Sequence, residues 1–268
     1  MKKTILIPAI ALLLIIIGVV IQKQKTTSLP SQSEVKNVDM LQNDQDTEML
    51  AQEVAYHETV KGWYAQPKEA GEYPGIVMIH EWWGLNDNIK ETAEELAQSG
   101  YRVLAVDLYE GVVATTSEHA RALSSSIDKE EALTNMKAAT AYLRARGASK
   151  IASLGWCFGG ARSLELSLSD EDLDATVIYY GQLITDTDQL AGIDQPVLGI
   201  FGEEDTSIPV ATVQEFDAAL DSLGVQNDIH MYPDVGHAFA NPSGNNYAPA
   251  ATEDAWNKTL QFLATNLK

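Results

Sequence analysis

The chain has one cysteine, Cys157, and it lies in a glycine-rich stretch that matches the pattern G-x-nucleophile-x-G, Gly155-Trp156-Cys157-Phe158-Gly159. A predicted strand precedes this stretch and a predicted helix follows it, which is typical of a sharp turn that lifts a nucleophilic side chain out of a sheet. The two glycines would let the strand and the helix approach closely. The alternative is a packing turn that contains a buried, unreactive thiol.

A nucleophile on such a turn needs a histidine base, and the base needs an acid that orients it, in the chain order nucleophile, acid, histidine. Asp205 follows a predicted strand in the segment GEEDTSIP, and His237 follows the next predicted strand in DVGHAF. Glu203 and Glu204 are alternative acids, but Asp205 leads into the loop before the next helix. We therefore expect a Cys-His-Asp site; the alternatives are a surface-loop histidine and a capping or solvated aspartate.

The segment HEWWGLND follows the first buried strand and supplies further candidates. The backbone amides of Trp82 and Phe158 are predicted to stabilise an oxyanion. Glu81 is predicted to lie beside the thiol, where a carboxylate disfavours the thiolate and would hold Cys157 neutral until the carboxylate moves or is protonated. The alternative is an ion pair between Glu81 and a nearby arginine such as Arg162.

The elements that must position these residues alternate between short apolar runs and helical stretches. Strands are predicted at 75–80, 101–108, 150–156, 175–181, 195–202 and 226–233. Helices are predicted from a cap at Asn86 or Asp87 to Gly100, from a cap at Asp128 to Gly147, and across 209–224 and 250–266. This order predicts an α/β fold with a mostly parallel central sheet and helices on both faces. In such sheets functional groups gather at the carboxyl ends of the strands.

The composition narrows the class of partner. With 38 acidic and 18 basic residues the net charge is −20, which disfavours nucleic acid and anionic lipid headgroups as partners. A single cysteine cannot form an internal disulfide. The sequence has no Cys or His cluster with metal-ligand spacing, and its glycine-rich turn lacks the Lys-Ser/Thr of a phosphate-binding loop, so we predict neither a metal nor another cofactor.

The amino terminus is predicted to lie outside the folded domain. Lys2 and Lys3 precede an uncharged, mostly apolar run from Thr4 to Ile21, which is close to the length that spans a bilayer. We interpret residues 1–25 as an uncleaved anchor or a cleaved signal peptide, 26–47 as a flexible linker and 48–268 as the catalytic domain. This predicts an exported protein, anchored at the outer face of a membrane, or secreted or periplasmic if the segment is cleaved.

Together these motifs resemble the dienelactone hydrolase family of α/β-hydrolases, also called carboxymethylenebutenolidases. The resemblance covers about residues 54–267 and rests on HEWWGLN, DLY at 107–109, GWCFGG, YYG at 179–181, GEEDTSIP, GHAF and the pattern across 247–262. It implies an α/β-hydrolase fold and a triad of Cys157, His237 and Asp205. It also implies that Glu81 matches a regulatory glutamate, which bonds the resting thiol and swings away when substrate binds.

The sequence departs from the family where substrate charge is recognised. Family members that act on dienelactone hold its carboxylate with two arginines, and the matching positions here are Glu110-Gly111 and Asn241. We therefore expect poor activity on dienelactone itself, because a bidentate guanidinium is a large part of how a small anion is recognised. Arg121 and Arg162 are candidates for a replacement charge.

Aromatic side chains close to the motifs indicate a neutral, apolar acyl or lactone pocket, with Trp83, Tyr179 and Phe239 as predicted lining residues; core packing is the alternative. The resulting hypothesis is a hydrolase of small-molecule esters or lactones that works through a thioester on Cys157. Two other functions stay open at this point: a membrane-tethered, non-catalytic small-molecule-binding domain, and a redox or thiol-transfer protein.

Overall fold

The structure is a computed structural model of the chain and describes residues 48–268. The predicted anchor or signal segment at 1–25 and the predicted linker at 26–47 lie outside the described residues. Within 48–268, no helix is both long enough and apolar enough to cross a membrane. The described residues all belong to one compact unit.

The centre of the fold is one sheet of eight strands, and its order is β1-β2-β4-β3-β5-β6-β7-β8. The strands are β1 (Met49–His57), β2 (Val60–Pro67), β3 (Gly75–Ile79), β4 (Arg102–Val106), β5 (Ile151–Trp156), β6 (Ala175–Tyr179), β7 (Val197–Gly202) and β8 (Asn227–Tyr232). Strand β2 is antiparallel to both of its neighbours, and all other pairs are parallel. The prediction of a mostly parallel central sheet is confirmed.

Seven helices connect or follow the strands within the described residues. They are α1 (Asp87–Gln98), α2 (Ser117–Ser126), α3 (Lys129–Ala145), α4 (Phe158–Ser167), α5 (Thr187–Leu190), α6 (Val210–Leu223) and α7 (Pro249–Leu267). The predicted caps of two helices are present: the Asn86 side chain accepts from the Ile89 amide at the start of α1, and Asp128 accepts from two amides of the first turn of α3. Such caps satisfy amides that have no partner inside the helix.

Alternating strand residues divide the hydrophobic core into two clusters, one on each face of the sheet. In β3, Ile76 and Met78 belong to the cluster that also contains buried residues of α1 and α7. Val77 and Ile79 belong to the cluster that contains the buried face of α3. Because successive side chains of a strand point to opposite faces, helices cover both faces of this sheet, as predicted.

Three parts of the fold carry no clear sequence pattern and were not predicted: the β1–β2 hairpin, α2 and α5. Strand β1 has no fully buried residue, and exposed and half-buried positions are mixed along it. An edge strand of this kind carries a weak apolar alternation. Helix α5 has four residues, too few for a periodic pattern.

The topology brings five loops to one edge of the sheet. Strands β5, β6, β7 and β8 are consecutive parallel neighbours, and β3 pairs with β5 in the same direction. Their carboxyl ends therefore meet at the same edge, and Glu81, Cys157, Tyr180, Asp205 and His237 each follow one of these strands within five residues.

Candidate active site

The turn between β5 and α4 holds Cys157 in a backbone conformation that side-chain-bearing residues rarely adopt, with φ of 54° and ψ of −116°. The neighbouring glycines make this turn possible. A Cβ at Gly155 would lie 2.1 Å from the carbonyl oxygen of Gly159, and a Cβ at Gly159 would lie 2.3 Å from that of Ile79. The Cys157 amide donates to the carbonyl oxygen of Tyr179 on the adjacent strand at 2.9 Å. Strain of this kind persists where the surrounding structure fixes it, often at functional sites.

Cys157, His237 and Asp205 form one continuous line of contacts. Nε2 of His237 lies 3.1 Å from Sγ of Cys157, and Nδ1 lies 2.7 Å from Oδ2 of Asp205. The other carboxylate oxygen of Asp205 accepts from the amides of Ser207 and Ile208 at 2.7 and 3.1 Å. The structure therefore brings together the three residues that the sequence singled out.

Of the three acidic residues in the segment after β7, only Asp205 is buried. Its exposed fraction is 3%, whereas Glu203 and Glu204 are exposed. Two backbone amides and one imidazole hold the Asp205 carboxylate in place. Glu203 and Glu204, the alternatives considered from the sequence, do not contact His237 in the structure.

The surroundings favour a protonated imidazole next to the sulfur. Burial opposes protonation of His237, but its hydrogen bonds to Asp205 and Cys157 and the negative charges of these groups outweigh burial and raise its pKa to about 10. Burial likewise disfavours the charged form of Asp205, but the His237 contact and the two loop amides hold its pKa below the usual value. An imidazolium in this position can donate a proton to a group attached at Cys157.

Glu81 is buried, but its partner differs from both expectations. Its Oε2 accepts from Nδ2 of Asn241 at 2.5 Å, and no hydrogen bond joins Glu81 to Cys157 within residues 48–268. Arg162 pairs instead with Glu165, at 2.7 Å. In this structure the Glu81 carboxyl group is thus hydrogen-bonded to Asn241 and not to the thiol.

The ionisation of Glu81 falls close to neutral pH. Burial raises the pKa of Glu81 from 4.5 to about 7, although the charge of His237 and the hydrogen bond from Asn241 act in the opposite direction. At position 241 the resemblance to dienelactone hydrolases implies an arginine, and this chain has asparagine there. Its role toward Glu81 was not predicted, because the two residues are 160 positions apart in the chain.

His80 fixes the loop that carries Glu81, and the sequence analysis missed it. The fully buried ring accepts from the Leu108 amide through Nε2 at 3.1 Å, so Nδ1 carries the proton and donates to the carbonyl oxygen of Glu81 at 2.6 Å. Burial lowers the pKa of His80, which agrees with a neutral ring. No sequence pattern distinguishes this histidine from other residues at the end of a strand.

The two backbone amides that the sequence predicts to stabilise an oxyanion, those of Trp82 and Phe158, make no hydrogen bond within residues 48–268. Phe158 is the first residue of α4. Free amides beside a nucleophile, one of them at a helix amino terminus, can stabilise developing negative charge.

A cavity of about 740 Å³ is lined by both Cys157 and His237. The apolar or aromatic side chains on its walls are Trp82, Phe158, Ala161, Leu164, Tyr180, Leu183, Ile184 and Ile208. The predicted pocket residues Trp83, Tyr179 and Phe239 are not among the residues that line this cavity. Phe239 is fully buried in the core, and the Tyr179 hydroxyl contacts Thr259 at 2.7 Å.

A second cavity, of about 420 Å³, adjoins the first at Tyr180, which lines both. Glu81, Asn241 and Tyr179 line this second cavity. Tyr180 lies at the end of β6 with a φ of 34°, and its ring packs edge to face against His237. Tyr179 and Tyr180 therefore both line the second cavity, and only Tyr180 also lines the cavity that contains Cys157, a difference that the sequence alone could not assign.

The strand order, the strained turn after β5 and the line of contacts from Cys157 to Asp205 define an α/β-hydrolase. The sequence profile described as "Dienelactone hydrolase family" matches residues 60–267. The chain belongs to the dienelactone hydrolase family.

Individual relatives agree with this assignment. The chain is 31% identical over 232 residues to a provisionally named carboxymethylenebutenolidase of Synechocystis sp., covering 78% of this chain and 93% of the relative. It is 35% identical over 218 residues to protein usf of Aquifex pyrophilus, covering 76% and 92%. The crystal structure of a provisionally named dienelactone hydrolase from Klebsiella pneumoniae superposes with a TM-score of 0.75 at 26% identity, covering 81% of this chain and 99% of that one. These names point to a hydrolase of ester or lactone bonds.

Proposed function

We propose that the protein hydrolyses carboxylic esters or lactones through a Cys-His-Asp triad, with Cys157 as nucleophile and a thioester as intermediate. One observation carries the proposal: the unbroken line of contacts from Asp205 through His237 to the sulfur of Cys157, on a strained turn at the carboxyl edge of the sheet. His237 is the general acid and base, and Asp205 orients it.

In the first half of the reaction the Cys157 thiolate attacks the ester carbonyl carbon, and the carbonyl oxygen takes the negative charge. The amides of Trp82 and Phe158 donate hydrogen bonds to this oxyanion. When the tetrahedral species collapses, the carbon–oxygen single bond breaks and His237 gives its Nε2 proton to the leaving oxygen. An alcohol and a thioester result; with a lactone, the new hydroxyl stays attached to the acyl group.

In the second half a water molecule attacks the thioester carbonyl while His237 takes its proton. Collapse of the second tetrahedral species breaks the carbon–sulfur bond, releases the carboxylic acid and restores the resting pair of Cys157 and His237. Each cycle consumes one water and needs no cofactor.

In this proposal the ionisation state of Glu81 affects how readily the Cys157 thiol loses its proton. An ionised Glu81 near the site disfavours a thiolate, and a protonated Glu81 does not. The contact with Asn241 gives the carboxyl group a partner other than the thiol. Dienelactone is proposed to be a poor substrate, because Glu110-Gly111 and Asn241 stand where two arginines would bind its carboxylate. Turnover of dienelactone as efficient as that of neutral esters would contradict this point.

The test is hydrolysis of a short-chain 4-nitrophenyl ester and of a panel of small lactones by the purified protein and by two variants, Cys157→Ala and His237→Ala. The proposal predicts turnover by the wild type and loss of most of the rate in both variants. A folded wild type that binds these compounds without turnover would instead support a non-catalytic binding domain. Variants as active as the wild type would remove the triad from the mechanism.

The proposed location is the outer side of a membrane, with residues 1–25 as an anchor or a cleaved signal peptide. This location is supported by Lys2 and Lys3, which precede the apolar run from Thr4 to Ile21. Fractionation of expressing cells, combined with the intact mass of the protein, separates the cases. Full-length protein in the membrane fraction indicates an anchor, a shortened exported protein indicates cleavage, and full-length protein in the cytosol refutes export.

A further inference from the structure

Arg162 lies on the wall of the cavity that contains Cys157 and His237. It is the fifth residue of α4, the helix that begins directly after Cys157. Its exposed fraction is 8%, which is low for an arginine, since arginines are almost never buried unless paired. The proposed hydrolysis does not use this side chain.

The guanidinium is only partly satisfied. Nη2 pairs with Oε1 of Glu165 at 2.7 Å, whereas Nε and Nη1 are buried without a hydrogen-bond partner among the described residues. The guanidinium carbon lies 5.3 Å from the centre of the Phe158 ring. Because burying charged N–H groups without an acceptor is unfavourable, this site lacks an acceptor that a bound group could supply.

A second unpartnered donor lies close by. The Tyr109 hydroxyl is buried and makes no hydrogen bond of ordinary length within residues 48–268, although the Ser124 side chain lies near enough to lower its pKa. Burial raises the pKa of Tyr109, the negative charge of Cys157 raises it further, and the charge of Arg162 lowers it. The Tyr109 hydroxyl therefore stays protonated and can donate a hydrogen bond. Its ring packs on Phe158, with 5.7 Å between the ring centres.

The charges on the cavity wall favour an anion. Lys129 and Arg162 line the cavity, and Glu165 is the one carboxylate among its lining residues. An excess of basic over acidic side chains on a cavity wall is unusual in a chain of net charge −20. Burial raises the pKa of Glu165, although Arg162 and Lys129 lower it. A ligand carboxylate could therefore compete with Glu165 for the guanidinium.

We propose that Arg162 and Tyr109 form a subsite for a carboxylate carried by the substrate, so that the preferred substrates are esters or lactones with an acidic group remote from the scissile bond. The inference rests on the proposed ester hydrolysis at Cys157. Arg162 lines a different cavity from Glu110-Gly111 and from Asn241, the positions where the arginines are missing. It is consistent with weak activity on dienelactone, whose carboxylate is held on a short, rigid frame.

The helix sets the spacing between the two ends of such a substrate. Arg162 follows Cys157 by five residues, a rise of about 7.5 Å along the axis, and helical side chains lean back toward the amino terminus. The contact between the guanidinium and the Phe158 ring agrees with this direction. A six-carbon dicarboxylic acid, attached through one carboxyl group, can span such a distance.

The test compares two substrates with the full-length protein: the mono-4-nitrophenyl ester of adipic acid, and the same compound with its free carboxyl group methylated. The quantity measured is the ratio of kcat/KM for the acidic ester to that for the neutral ester. In Arg162→Gln this ratio should fall by roughly 10- to 100-fold, the size of a charged hydrogen bond, and the fall should come through KM for the acidic ester. Tyr109→Phe should lower the ratio by a smaller factor.

Two further variants protect the result against a general effect of charge or folding. Glu165→Gln removes the competing carboxylate from Arg162 and should raise the ratio. Arg121→Gln changes the net charge by the same amount as Arg162→Gln, but its side chain is exposed on α2, and the ratio should not change.

Three outcomes have different meanings. An equal ratio in the wild type and in both Arg162→Gln and Glu165→Gln would refute the subsite while leaving the hydrolase intact. An equal fall in Arg121→Gln and Arg162→Gln would also refute it, since the effect would then come from overall charge. A wild type that hydrolyses neither ester would refute the proposed function on which the subsite depends.

Discussion

Replacing Glu81 by Gln should change how the stability of the protein depends on pH. Burial raises the pKa of Glu81 to about 7 from 4.5, which corresponds to a difference of about 3 kcal/mol between the protonated and ionised forms. Because the pKa is higher in the folded chain, the stabilisation from the protonated carboxyl group is complete below about pH 4.5 and is lost as the pH rises through about 7.

The expected magnitude follows from these two values. Between about pH 5 and about pH 8 the wild type should lose about 2.5 kcal/mol of unfolding free energy from this group. Glu81→Gln keeps an oxygen that can accept from Asn241 but cannot ionise, so the variant should not show this loss. Relative to the wild type, the variant should therefore be more stable by about 2.5 kcal/mol at the higher pH than at the lower pH.

The assay is denaturant unfolding of both proteins at the two pH values, with Glu203→Gln as the matched control. Glu203 is exposed, and its replacement removes the same charge from the surface. The control should follow the wild type at both pH values. If the stability difference between Glu81→Gln and the wild type is the same at both pH values, then the conclusion that burial shifts this ionisation is wrong.

Three further predictions concern the parts that hold the site together. Asp205→Asn should lower kcat for ester hydrolysis by roughly 10⁴-fold, because it no longer favours the required tautomer of His237; rates within about tenfold of the wild type would contradict this role. Gly159→Ala should destabilise the fold by more than about 2 kcal/mol, since its Cβ would lie 2.3 Å from a carbonyl oxygen. The matched control is Gly192→Ala, where the nearest neighbour is 3.9 Å away and stability should change by less than about 1 kcal/mol. Thermal unfolding measures both variants, and equal effects would show that the close contact at Gly159 does not cause the loss of stability. His80→Phe keeps a ring but removes the hydrogen bonds to the Leu108 amide and the Glu81 carbonyl. The free energy of unfolding should therefore fall by about 2–4 kcal/mol. An unchanged stability would show that these two hydrogen bonds do not hold the loop that carries Glu81.

Much of the architecture could be predicted from local pattern. Apolar runs of strand length and helices with recognisable caps recur along the chain, and parallel connectivity sends the segments that contain Cys157, Asp205 and His237 to one edge of the sheet. The glycines on either side of Cys157 have a steric cause that a sequence can express. The β1–β2 hairpin escaped prediction because an exposed edge strand has no strong apolar period.

The side-chain pairs within the site could not be predicted in the same way. Whether Glu81 contacts Cys157, Arg162 or Asn241 depends on rotamers and on residues up to 160 positions apart. Whether Tyr179 or Tyr180 lines the cavity that contains Cys157 depends on how the chain turns after β6. The burial of Arg162 likewise follows from the packing of α4 and not from any local motif.

The most direct test of the central claim is to detect the acyl group on the enzyme. The protein is mixed with a 4-nitrophenyl ester, quenched with acid during turnover, digested and analysed by mass spectrometry. If Cys157 is the nucleophile, the peptide that contains it should gain the acyl mass, hydroxylamine should remove that mass, and Cys157→Ala should not show it. Steady turnover by Cys157→Ala at the wild-type rate, or an acyl group found only on another residue, would contradict the assignment of Cys157 as the nucleophile.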